Sequence, residues 1–118
     1  MNKYVKRHLK HKSKLKQLEA IKMAKYGEKK EHTFTDREGN KTEFTFQHVG
    51  LQGSYEMLDR MKDENGKTSI TDTHKELFEH VIRTKEGARV DYAWFEEQKY
   101  GSEMLKNVIQ AAIKFIFQ

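Results

Sequence analysis

The strongest constraint on this chain is an apolar stripe near its end. Met104, Leu105, Val108, Ile109, Ala112, Ile113 and Ile116 recur at three- and four-residue steps, the spacing of one helix face. Glu103, Asn107, Gln110 and Lys114 form the opposite, polar stripe, and Gly101-Ser102 marks the opening. From Met104 to Phe117 such a helix runs roughly 20 Å. A helix this one-sided must lay its face on a core. Phe117 falls on the polar stripe, so the end closes on Phe115-Ile116-Phe117 with apolar groups pointing several ways and no glycine cap following. Two outcomes stay open: this end is buried under neighbouring structure, or it is an exposed patch that takes a partner.

The rest of the chain supplies what that helix could pack on. Thr33-Phe34-Thr35 and Glu43-Phe44-Thr45-Phe46-Gln47 alternate at period two, with Gly39-Asn40 between them, which predicts a β-hairpin. A lone hairpin is marginal in water, so its Phe face must rest on helices. Ser54 is read as the N-cap of a short helix carrying Tyr55, Leu58 and Met61 as core, ending at Asn65-Gly66. A second helix is placed from Asp72 or Thr73, where Thr73 and Glu76 match a capping box, and its apolar face is Leu77, Phe78, Val81 and Ile82. Gly87 turns the chain, and Asp91 caps a single turn through Trp94 and Phe95, which reads as a plug between helices. The expected fold is a small single α+β domain: one β-hairpin packed on about four helices, preceded by an N-terminal basic helix.

Charge divides the chain. Residues 1–31 carry 11 Lys/Arg and 3 Asp/Glu, a net of +8, whereas residues 32–118 carry 12 and 15, a net of −3. The division sets a basic helical extension, 1–31, against a domain, 32–118. The extension is rich in good helix formers, with sparse apolar positions (Val5 and Leu9; Leu15, Leu18 and Ile21), and its helix is expected to end near Tyr26–Gly27. With no cysteine, the chain has neither disulfides nor thiolate metal sites, which fits a reducing compartment. No apolar run reaches membrane-spanning length, and the basic start leads into no apolar stretch of a secretory signal. The expectation is a cytoplasmic protein with no membrane contact.

Candidate chemistry is thin. Lys3, Lys6, Arg7, Lys10, Lys12, Lys14 and Lys16 could neutralise phosphates, but one Arg and no recognisable DNA- or RNA-reading motif make poor base readout. Nucleic acid therefore ranks behind protein as the partner, and Lys6, Arg7, Lys10 and Lys14 are kept as electrostatic contacts. His8 and His11 are three apart without a carboxylate to complete a metal set. His74, Glu76 and His80 do not form the zincin arrangement, and an ordinary helical side-chain pair explains Glu76 and His80. Neither a P-loop, a dinucleotide fingerprint nor a nucleophile elbow is present, so the expectation is no enzyme, no cofactor and no metal.

FTFQHVGLQGSYEMLDRM, KELFEHVIRTKEGARVDYAWFEE and EMLKNVIQAAIKFIF together resemble the tail assembly chaperones of long-tailed bacteriophages. The shared layout is a strand pair, a short helix, a central helix, a loop leading to an aromatic pair, and a closing helix, over about residues 33–118. The resemblance implies a non-catalytic chaperone that binds and solubilises the helical tape measure protein and helps recruit tail tube subunits, with room for self-association. It implies action in the cytoplasm of the infected bacterial host and absence from the mature virion. The contact residues expected on that basis are Tyr55, Met57 and Met61, whose methionines adapt to varied helices, with Trp94, Ile116 and Phe117. The alternative is a small basic nucleic-acid-binding or regulatory protein using the Lys-rich start.

Overall fold

A computed structural model describes residues 26–118. The expected helix of the basic extension, and Lys6, Arg7, Lys10 and Lys14 with it, lie outside the described residues.

The hairpin forms where the alternation places it. β1 (Lys29–Thr35) and β2 (Lys41–Gln47) pair antiparallel, with Phe34 opposite Thr42 and His32 opposite Phe44. Asp36 fixes the turn, its Oδ1 accepting the amides of Glu38 at 2.8 Å and Asn40 at 2.9 Å. Both strands run longer than their β-branched centres. Lys29, Lys30 and Glu31, assigned by charge to the extension, face Gln47, Phe46 and Thr45 in the ladder, so a boundary after residue 31 falls inside β1. Ladder hydrogen bonds satisfy the backbone whatever side chain it carries.

A third strand replaces the expected end of the central helix. β3 (Ile82–Thr84) pairs antiparallel with β2, Ile82 opposite Phe46 and Thr84 opposite Phe44, giving the sheet order β1-β2-β3. Phe34, Phe44, Phe46 and Ile82 point to one face and are buried. The other face carries Lys29, Glu31, Thr33 and Glu43 and is open to water, as antiparallel sheets allow.

α1 (Gly50–Arg60) starts four residues before the expected cap. Gly50 has φ +83°, a backbone that favours glycine, and its N–H donates to His48 Nδ1 at 2.9 Å. Ser54 lies one turn inside, its hydroxyl donating to the Gly50 carbonyl at 2.7 Å, so it is no cap. The helix stops at Arg60, and Asp63 to Gly66 form a separate tight turn closed by a Lys62–Thr68 bridge. α2 (Ile70–His80) is capped by Ser69, whose Oγ accepts from the Asp72 amide at 3.2 Å. Thr73, the expected cap, is inside this helix and donates its hydroxyl to the Ser69 carbonyl at 2.7 Å. Arg83 closes the far end by donating to the carbonyls of Phe78, Glu79 and Ile82.

α3 (Tyr92–Glu96) is capped by Asp91 as expected, through the Trp94 amide at 2.8 Å. α4 (Gly101–Phe117) is the long closing helix. A side chain at Gly101 would overlap the Phe95 carbonyl, so the close approach of α3 to α4 depends on glycine there. Phe44, Phe46, Met57, Leu77, Val81, Ile82 and Val108 are fully buried where sheet and helices meet. Phe44 lies 5.6 Å from Trp94 and 6.2 Å from Phe95, and Phe46 lies 6.2 Å from Phe115. The fold is α+β, a three-stranded antiparallel sheet with four helices among the described residues.

Candidate protein-binding surface

The closing helix leaves little apolar surface to offer. Met104, Val108, Ile109, Ala112 and Ile116 are buried, and Leu105 and Ile113 pack against the core. Phe115 reaches the ring of His48 at 5.4 Å, and Phe117 is half-buried against the same cluster. The end of this helix is therefore tucked onto the hairpin side of the core.

That outcome corrects the expected contact set. Met57 is 0% exposed, Met61 3% and Ile116 6%, so none can meet a partner without opening the domain. Their apolar side chains gain more from filling the core than from a water-facing site. Trp94 is half-buried, edge-on to Phe44 and to Phe95 at 4.9 Å, and acts as the plug. Tyr55 alone of the six stands well out of the surface, 63% exposed.

Tyr55 is not isolated. Leu51 and Leu58 on the same helix are also exposed, at 56% and 37%. Positions 51, 55 and 58 follow the four-then-three spacing of one helix stripe. At about 100° per residue, this stripe lies roughly 100° around α1 from the buried set of Gly50, Ser54, Met57 and Met61. The apolar arc of α1 is thus about twice as wide as the part the core covers. Gln52, Glu56, Asp59 and Arg60 occupy the remaining circumference.

Exposed apolar residues also lie near both ends of α1. Tyr26 lies against Gly50 at the start of α1 and is 84% exposed. At the other end the Ser69 amide donates to the Met61 carbonyl, which brings Ile70, 75% exposed, beside the helix terminus. Arg60 Nε donates to Glu76 Oε1 on α2 at 2.6 Å, and Gln52 Nε2 donates to Glu56 Oε1 along the polar side. Leu58, expected in the core with Tyr55 and Met61, is on the exposed stripe instead, with Leu51 beside it. The 51-55-58 spacing was the available signal.

The groups whose pKa is shifted by burial sit on other elements. His74 on α2 meets the Tyr92 hydroxyl at 2.7 Å, with Phe78 alongside. Burial holds the His74 pKa below its ordinary value and pushes that of Tyr92 up. His80 lies 3.8 Å from Glu76, the ordinary side-chain pair that the spacing suggests. Among the described residues no three His, Asp or Glu converge as a metal set, and no helix is long and apolar enough to cross a membrane.

No family model, no curated protein and no solved structure matches the chain.

Proposed function

We propose that this protein is a tail assembly chaperone of a long-tailed bacteriophage, acting without catalysis by covering apolar helical segments of the tape measure protein. The observation that carries the reading is the uncovered stripe Leu51-Tyr55-Leu58 on α1. A partner helix with apolar residues at three- and four-residue steps would lay its face into this line and extend the core outward. Large contiguous apolar patches on a soluble domain mark interaction sites. The order of elements, a strand pair, a short helix, a central helix, an aromatic pair and a closing helix, follows the layout that the resemblance implies, with the third strand β3 added where that layout has a loop. Recruitment of tail tube subunits, self-association, work in the infected cell's cytoplasm and absence from the virion belong to the same proposal.

Co-expression tests it. The tape measure protein encoded beside this chain should stay soluble and co-purify when the chain is present, and should precipitate when it is absent. The variant Leu51→Ser/Tyr55→Ser/Leu58→Ser should lose that effect while still folding. If the triple variant solubilised the tape measure protein as well as the wild type, the stripe would not be the site. If neither protein had any effect, the chaperone reading itself would be wrong.

A further inference from the structure

The two long edges of the α1 stripe differ. One adjoins the buried set that includes Met57 and Met61. The other is acidic. Asp59 follows Tyr55 by one turn, about 40° further around the helix, and Glu56 lies about 100° beyond Tyr55. Both carboxylates are exposed. Among the described residues Asp59 makes no ion pair or side-chain hydrogen bond, and Glu56 accepts only from the neutral Gln52 amide at 2.8 Å.

Nearby positive charge does not cancel this edge. Arg60, the basic residue of α1, is taken up by Glu76 on α2 at 2.6 Å. Past the end of the helix, Lys62 and Lys67 are matched in number by Asp63 and Glu64. Residues 50–67 carry 4 acids (Glu56, Asp59, Asp63, Glu64) and 3 bases (Arg60, Lys62, Lys67). With Arg60 spent on Glu76, 4 acids face 2 bases, and the surface around the stripe keeps a charge of −2.

That charge selects among occupants. Carboxylates at the rim of an apolar contact attract bases and repel acids, which decides between partners more than it adds to affinity. An anionic lipid surface draws basic segments, so this edge does not suit one. A second copy is also opposed. In an antiparallel two-fold pairing of α1 with itself the same edge meets its own copy, setting Glu56 and Asp59 against Glu56 and Asp59. Leu51 to Leu58 covers about 10 Å of helix, two turns, so a partner helix needs three apolar residues over a similar length.

We propose that the α1 stripe selects a basic amphipathic helix: a segment with apolar residues at three- and four-residue steps, and Lys or Arg along the edge that meets Glu56 and Asp59. This selectivity presupposes the docking role proposed for the stripe.

Two labelled helical peptides test it, identical in their apolar residues and carrying either Lys or Gln along one edge. Their binding to the full chain is followed by fluorescence anisotropy over a salt series. The Lys peptide should bind about fivefold more tightly at low salt, as two exposed charge pairs allow, and the preference should shrink as salt rises. Glu56→Gln/Asp59→Asn should bring the two peptides within about twofold of each other. Glu86→Gln/Glu97→Gln, on other elements, should keep the preference, and melting curves of all variants check folding. The proposal is overturned if the Gln peptide binds the wild type as tightly as the Lys peptide, or if the preference survives in Glu56→Gln/Asp59→Asn; the docking role of the stripe would then still stand. If neither peptide binds, or if both bind Leu51→Ser/Tyr55→Ser/Leu58→Ser as tightly as the wild type, the stripe itself is not the site and both readings fail.

Discussion

Two amphipathic helices of this molecule put their apolar residues to different use. α4 places Met104, Val108, Ile109, Ala112 and Ile116 in the core, and even Phe117, on its polar side, is drawn half under. α1 buries Met57 and Met61 but leaves Leu51, Tyr55 and Leu58 in water, side by side with them around the helix. The difference lies in the neighbours. α4 lies over β1 and packs against α3, whereas among the described residues the main helix neighbour of α1 is α2. Periodicity tells how wide an apolar arc is; only the arrangement of the other elements tells how much of it is covered.

The largest effects should come from the covered side. Phe46→Ala, at the junction of sheet and α4, should cost about 3–5 kcal/mol in a denaturant titration, through lost transfer energy and the cavity left behind. A loss under about 1 kcal/mol would mean the core can collapse around that site and the covered face is looser than described. On α1 the comparison can be made between adjacent residues. Met57→Ala should cost about 2–5 kcal/mol. Leu58→Ser, one residue further on and 37% exposed, should cost clearly less, about 1 kcal/mol. Equal costs would erase the division of the helix into two arcs.

How much of this was legible follows from how local each signal is. Asp91 reads correctly because its cap is made to Trp94, three residues away, and Asp36 to Asn40 form a turn from their own side chains. The closing helix is legible because seven apolar positions agree on one period. Ser69 and Thr73 show where local signals compete. Each is followed three residues on by an acid, Asp72 or Glu76, and only the position of the preceding turn selects Ser69. β3 was illegible for a different reason. Ile82 continues the helical spacing of Leu77 and Phe78, and its strand pairing with Phe46 is a contact 36 residues distant in sequence. The contact residues failed in the same way. Met57, Met61 and Ile116 are apolar residues whose burial depends on elements far along the chain, and the exposed Leu51 and Leu58 look no different in sequence.

A smaller effect probes the cap that was misplaced. Ser69→Ala should cost about 1 kcal/mol by leaving the Asp72 amide without its acceptor, while Thr73→Ala should cost less than an N-cap loss. The reverse ranking would restore Thr73 as the start of the helix.

The smallest expected effect is a pH dependence. Burial lowers the His74 pKa from the ordinary 6.5, so below that pH the unfolded chain binds the proton more readily than the native one. Stability should hold above about pH 6.5, decline as pH falls from there to the lower native pKa, and then level off. His74→Gln should remove that decline in melting curves taken from pH 7 to about pH 5. An unchanged decline would place its origin in other groups.

The most direct test is an NMR titration of the full chain with a peptide from the proposed partner, a tape measure protein, that has apolar residues at helical spacing. The account predicts shift changes concentrated on Leu51, Tyr55, Leu58 and Ile70, with binding lost in Leu51→Ser/Tyr55→Ser/Leu58→Ser while that variant remains folded. Shift changes centred on Ile113 to Phe117, with the triple variant binding normally, would contradict it and return the contact to the end of the closing helix.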